Sequence, residues 1–226
     1  MVPPRAFEEF NDNAQDRYFR LLRQKAYGRA LLAVERSFPY LRGRVQLTGF
    51  SPQAKTAFEQ SWQPLLASQS KDAATNYRAT MAEQFTNYAC TTGPQRLADV
   101  PPGWKAHRFE LAIWGDQQLC GLAVTGVQQR HDEGNIMAID VVVASPVHNQ
   151  PLRGHIRPIT QFAGLAWAAA LGRREVHGMG PISPAGERAY QRLANFGFIP
   201  EPRGDNTSAD TTRMSVARNI HLLKLS

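Results

Sequence analysis

Asp140 stands in the run Ile136-Met-Ala-Ile-Asp-Val-Val-Val-Ala144, where every other residue is apolar. A carboxylate costs free energy in such surroundings unless it has a partner or a task. It therefore reads either as a general base or as half of a structural ion pair or hydrogen bond. His177, in Arg174-Glu-Val-His-Gly-Met179, supplies an imidazole that ordinarily titrates near neutrality and suits proton transfer. A lone strand histidine is also explained by packing. Glu110, in Arg108-Phe-Glu-Leu-Ala-Ile-Trp114, is a third carboxylate, expected at the surface. Covalent catalysis finds no support, because Ser183 lacks a Gly-x-Ser-x-Gly elbow and neither Cys90 nor Cys120 has a histidine beside it. The six histidines lack the short paired spacing of a zinc site and no acidic cluster suits magnesium or calcium, so no metal is expected.

The elements that must hold these groups alternate in texture. Apolar residues from Glu8 to Ser37 (Phe10, Tyr18, Leu21, Leu22, Ala26, Leu31, Val34) recur at threes and fours and predict one or two amphipathic helices. Arg17, Arg20, Arg23, Lys25 and Arg29 form a basic stripe between them, either a solvated face or a surface for phosphates. A short strand is expected over Arg44–Thr48. Helices are expected over Pro52–Leu66, with Ser51 as cap, and over Ala73–Ala89. Gly93-Pro94 and Pro101-Pro102-Gly103 mark a connection.

Beyond that connection, Arg108–Trp114 and Leu119–Val127 read as a hairpin turning at Gly115–Gln118, and Ile136–Ala144 as a strand covered on both faces. A polar stretch, Ser145–Pro158, leads to an Ala-rich helix over Ile159–Leu171 that ends at Gly172. There follow a strand at Arg174–Met179, a helix over Ala185–Phe196 closed by Gly197, a strand at Phe198–Glu201, a polar loop from Gly204 to Thr212, and a last strand at Ile220–Leu225. This is an α/β (α+β) pattern: a mixed, mostly antiparallel sheet flanked by helices.

The charge balance is +7, with 26 Lys+Arg against 19 Asp+Glu, and favours polyanionic partners: nucleic acid, an anionic surface or a phosphate-rich cofactor. No leader opens the chain and the longest apolar run, Phe162–Leu171, is far below the roughly 20 residues of a membrane span. A cytoplasmic protein with no membrane partner is the expectation.

From about Phe109 to Leu225 the order strand, strand, strand, loop, helix, strand, helix, strand, strand resembles the GCN5-related N-acetyltransferase (GNAT) superfamily. Local matches are the buried strand before the loop, Ala-Leu-Gly-Arg-Arg-Glu-Val176, Phe196-Gly-Phe-Ile199 and the hairpin. The resemblance implies an acetyl-CoA-dependent N-acyltransferase with a domain at residues 44–226 (core 104–226) and a helical N-terminal extension at residues 1–43. It implies that the pyrophosphate of acetyl-CoA, or of coenzyme A, lies on backbone N–H groups where a loop enters a helix, with the helix dipole adding attraction. The matching residues are Leu152, Arg153, Gly154, His155, Ile156 and Arg157, with Ser183 near the next junction. Here the loop departs from the family's spacing: Gln150-Pro-Leu-Arg-Gly154 is one residue longer and ends on His155-Ile156.

The resemblance further implies that the backbone at Val142, Val143 and Ala144 orients the acyl group, and that a tyrosine protonates the departing thiolate. Tyr190 is the candidate, although it lies seven residues before Gly197 and the usual tyrosine lies four before, where Leu193 stands. Asp140 and His177 are then the candidates for the proton transfer on the amine side. The acceptor is an amine on a small molecule, a protein or a charged tRNA. A non-catalytic module of the same fold, whose basic N-terminal helices dock on nucleic acid or a protein, is the alternative.

Overall fold

The structure is a computed structural model that describes residues 14–68, 109–128, 136–179, 192–199 and 211–224. Six strands form one sheet in chain order: β1 (Val45–Thr48), β2 (Phe109–Gly115), β3 (Gln118–Gln128), β4 (Ile136–Ala144), β5 (Glu175–Met179) and β6 (Thr211–Ser215). Neighbours are antiparallel except β4 and β5, which run parallel across a helical crossover. The mixed, mostly antiparallel sheet expected from the sequence is present.

The β2–β3 turn is tight. Asp116 and Gln117 both have positive φ, 48° and 67°, as a two-residue turn matching strand twist demands. Neither is glycine. Asp116 is held by Arg44, which donates from Nε at 2.9 Å and Nη2 at 2.5 Å; this partner depresses the Asp116 pKa.

Helix α1 (Ala14–Ser37) lies along one sheet face against the crossover helix. Its buried stripe is Phe19, Arg23, Ala26, Ala30, Ala33 and Val34, whereas Tyr18 and Leu21 are exposed. The helix is thus rotated from the expected face, because small residues at positions 26, 30 and 33 let two helices approach closely. Arg23 is only 3% exposed, so the basic stripe is not a continuous solvated face. Tyr27 reaches the otherwise open edge of β2, where β1 pairs only from Ala112 onward, and donates its hydroxyl to the Glu110 carbonyl at 2.6 Å. Burial raises the Tyr27 pKa well above the ordinary phenol value.

On the opposite face lie α2 (Pro52–Ala57), a π-helical turn (Phe58–Trp62) and α3 (Gln63–Ser68). Ser51 caps as expected, its hydroxyl accepting from the Ala54 N–H at 3.2 Å. Trp62 is fully buried among Phe58, Trp114, Leu119 and Leu122, and its indole N–H donates to the Leu119 carbonyl at 3.1 Å. That carbonyl sits beside an irregularity. Ile113 pairs with Gly121 and Trp114 with Leu119, so Cys120 is skipped. Glu110 is also within this doubly covered sheet. At 4% exposure it is buried, contrary to the surface position expected of it. Cys120 is buried and free, its thiol pushed up to about 11 mainly by burial, which leaves little thiolate at neutral pH.

The crossover helix α4 (Ile156–Ala170) begins three residues earlier than the periodicity predicts and is buried from Pro158 through Ala168. Gly172 ends it at φ +65°. The expected last strand at Ile220–Leu225 is wrong over its described part. Ser215 caps a helical turn, α5 (Val216–Asn219), which runs on as a 3-10 turn through Leu223. The edge strand is instead Thr211–Ser215, partly inside the expected polar loop. Phe198–Ile199 are not strand. Asn219 fixes them by accepting from the Ile199 N–H at 2.7 Å and donating to its carbonyl at 3.1 Å. Of the helix expected over Ala185–Phe196, the described end is a 3-10 turn at Arg192–Phe196, and Gly197 follows at φ +82°. The expected helix at Ala73–Ala89 lies outside the described residues.

Candidate active site

Strands β4 and β5 share four rungs, from Ile136–Glu175 to Ile139–Gly178. β4 then continues to Ala144 alongside β3, ending on the Gly121–Ala144 rung. Val141 to Ala144 therefore have β3 on one side and, among the described residues, no β5 partner on the other. The described pairing of β4 with β5 stops at Ile139. At that point the β3 register shifts, because Thr125 pairs with Ile139 and Val124 with Val141, which leaves Asp140 as the extra residue of a bulge. Bulges re-aim backbone groups and terminate pairing, and this one follows directly on the last described β4–β5 rung.

The sequence candidates distribute around this bulge. Asp140 occupies the bulge; its side chain is outside the described residues. Val142 is half-buried, Val143 is buried on the Trp62 side and Ala144 is exposed. His177 is level with Ala138 on the neighbouring strand, and its Nε2 lies 2.7 Å from Glu175 Oε2. It belongs to the paired part of the seam and already has a carboxylate partner. Ser183 and Tyr190 lie outside the described residues. Leu193, at the place where the family's tyrosine would fall, is fully buried.

The connecting loop is shaped by Gln150, whose Oε1 accepts from the Leu152 N–H at 3.2 Å while its carbonyl faces the Arg153 N–H at 3.3 Å. Leu152 is fully buried under β2: a Cβ on Gly115 would stand 2.6 Å from its Cγ. Ile156 is buried likewise, because Gly121 leaves room where a Cβ would stand 2.7 Å from Ile156 Cγ2. These two side chains anchor the loop; any ligand contact they make is through backbone. Gly154, at φ +83° with open space where its Cβ would be, and the exposed Arg153 form the outward surface. Arg153 Nη1 donates to the His148 carbonyl at 3.2 Å. Arg157 is half-buried.

His155 closes the loop at the start of α4. Its Nδ1 lies 3.0 Å from the Arg153 carbonyl, which fixes the ring proton there and leaves Nε2 to accept from the Tyr40 hydroxyl at 2.5 Å. Phe38 meets the imidazole edge-on at 4.9 Å and Phe196 at 5.0 Å. Burial lowers the His155 pKa, in keeping with a neutral ring. Both ring nitrogens are thus in use, so His155 serves the loop's shape. Tyr40 and Phe38 went unnoticed in the sequence; no local pattern links positions 115 residues apart.

One buried group in α4 has no counterpart. Gln161 is 0% exposed, and neither its Oε1 nor its Nε2 has a hydrogen-bond partner. Leaving such a group unpaired costs about 1–3 kcal/mol.

No family model and no curated protein matches the sequence. Solved structures do match. The aminoglycoside acetyltransferase AAC(6')-Ib in complex with coenzyme A is similar at TM-score 0.51 and 11% identity, over 78% of this chain and 98% of that one. The PaiA N-acetyltransferase of Thermoplasma acidophilum with coenzyme A follows at TM-score 0.46 and 11% identity, over 76% and 98% of the two chains. The GNAT family N-acetyltransferase YhbS of Escherichia coli with CoA gives 0.43 and 15%, over 80% and 85%. At such identities the likeness is one of fold, and the first match carries it. The chain has a GNAT-like acetyltransferase fold.

Proposed function

We propose that the chain is an acyl-CoA-dependent N-acyltransferase that moves an acyl group, acetyl in the simplest case, from coenzyme A to an amine. The observation that carries this reading is the Asp140 bulge in β4, just past the last described rung with β5 and followed by a glycine loop that starts a helix. The fit to an acyl-CoA is favourable on this chain's own features. Gly154 leaves open space, the first N–H groups of α4 carry the positive end of the helix dipole, and Arg153 and Arg157 bring cationic charge for phosphates. The extension at residues 1–43 and the domain at residues 44–226 are the arrangement we infer, with α1 bracing α4 and Tyr40 bracing the loop.

In this reading the backbone of Val142, Val143 and Ala144 aligns the acyl carbonyl. The amine nitrogen forms the new C–N bond, the C–S bond breaks and the sulfur leaves with its electron pair. Asp140 takes the proton from the amine, Tyr190 gives one to the thiolate, and Ser183 contacts the cofactor. His177, tied to Glu175, is the weaker alternative to Asp140. The acceptor class stays open between a small amine, a protein and a charged tRNA. Isothermal titration of the full chain with acetyl-CoA tests the reading: saturable binding is expected, and its absence at millimolar ligand overturns it.

A further inference from the structure

The outer layer on the α1 face of the sheet is cationic. Lys25, Arg29 and Arg36 are exposed on α1, and Arg218, His221 and Lys224 are exposed at intervals of three along the terminal helical turn. At 3.6 residues per turn the three α1 cations fall within about 40° of one another around the helix and span about 16 Å along it. Arg36 Nη1 donates to the Lys224 carbonyl, so their line runs on the side of α1 that faces the terminal turn. Tyr18, 57% exposed, falls on the same line. Beside it, a Cβ on Gly28 would meet nothing within 4 Å, so that flank of the helix is open. Among the described side chains of these two elements the acid is Glu35, which is half-buried and accepts from the Gly43 N–H at 2.9 Å.

We infer that this cationic line along α1 and the terminal turn is a docking surface for RNA, which it holds by the phosphate backbone. A row of cations suits a sugar-phosphate chain, whose charges follow one another without interruption. Tyr18 adds a ring on which an unpaired base can stack, a contact that a folded RNA offers and a closed DNA duplex does not. An anionic membrane requires a broad apolar face to insert. α1 has already buried its apolar stripe against α4 and the sheet, and the exposed leucines, Leu21 and Leu32, stand about three turns apart. The choice of RNA also rests on the acyl-CoA reading above, because that reaction consumes an aliphatic amine. DNA carries only base amines conjugated to the rings, whereas an aminoacylated RNA end carries an α-amine that titrates at about 8 and is available near neutral pH.

The test is binding of the full chain to bulk tRNA, duplex DNA, phosphatidylserine vesicles and polyglutamate, followed from about 0.05 to 0.3 M salt. Wild type is expected to bind tRNA saturably and more tightly than the other three, with affinity falling steeply as salt rises. Lys25→Gln and Arg29→Gln together are expected to weaken tRNA binding about tenfold at 0.15 M salt and to reduce the log–log salt slope by about 1.5, with acetyl-CoA binding and melting temperature unchanged. Either single change serves if the pair does not fold. Lys55→Gln, on α2 at the opposite face, removes the same charge and is expected to leave affinity and slope as in wild type. Absence of saturable tRNA binding at low salt overturns the proposal, as does a folded double variant that binds like wild type or a Lys55→Gln variant weakened as much as Lys25→Gln. DNA, vesicles or polyglutamate bound as tightly as tRNA overturns RNA as the occupant. If tRNA binding behaves as expected but acetyl-CoA does not bind, the acyl-CoA reading alone has failed and the docking surface stands.

Discussion

Tyr40→Phe removes one oxygen, and its consequences can be worked out closely. The hydroxyl donates to Nε2 of His155, whose Nδ1 proton faces the Arg153 carbonyl. The bond spans 115 residues and ties the segment after α1 to the first turn of α4. A neutral hydrogen bond contributes about 0.5–1.5 kcal/mol net. Tyr40 is 59% exposed, so water replaces the lost donor in part and the lower half of that range applies. For a chain of this size about 1 kcal/mol moves the melting temperature by roughly 2–4 °C. A drop of roughly 1–4 °C is therefore expected at pH 8. The pH dependence has a definite sign. Burial lowers the His155 pKa below 6.5, so the folded state holds the neutral ring more strongly than the unfolded chain does. That contribution is complete above pH 6.5 and is lost as pH falls through the depressed folded value. The Tyr40 bond favours the neutral ring, so the gap between wild type and Tyr40→Phe narrows from pH 8 to pH 5, and the His155 pKa rises in the variant. Thermal melts at both pH values and NMR titration of the His155 ring measure these. A gap of the same size at both pH values, or no gap at pH 8, refutes the reasoning.

Trp62→Phe leaves the buried Leu119 carbonyl without its indole donor and opens a void beside Phe58, at a cost of about 2–4 kcal/mol visible as a lower urea midpoint. Gly154→Ala meets no neighbour but forces a side chain to φ +83°, so a loss of about 1–2 kcal/mol by chemical denaturation is expected, together with weaker nucleotide binding. Asp140→Asn is expected to slow acyl transfer about 10²–10⁴-fold at neutral pH with coenzyme A affinity unchanged, as steady-state rates and titration together will register.

Sequence reading went furthest where apolar runs are long and bounded by turns. The β2–β3 hairpin and Ile136–Ala144 were legible because their apolar patterns end at clear turns, and the GNAT-like order followed from them. Ile220–Leu225 misled because six mostly apolar residues are too few to separate a strand from a helical turn, and the Ser215 cap was the stronger signal. Thr211–Ser215 was hidden because an edge strand needs little apolar character. Glu110 was expected at the surface because the packing of Trp62 and its neighbours on the second face depends on contacts more than 50 residues apart. At the site, Asp140 was legible as a misfit in an apolar run. Its position in a bulge was not, since register is a property of two strands. The burial of Gln161 was not legible in the apolar, Ala-rich helix, because periodicity does not reveal that α1 and the sheet enclose α4.

The four rungs between Ile136–Ile139 and Glu175–Gly178 are the only backbone link in the described sheet between β1–β4 and β5–β6. Mechanically the described sheet is two blades joined by a short weld, whose last described rung lies next to the Asp140 bulge. Parallel strands pulled at opposite ends load all their rungs together, whereas prying at the open end breaks them singly. A load that enters beside the Asp140 bulge therefore meets the least resistance there, and it can part the described rungs one at a time without disturbing either blade.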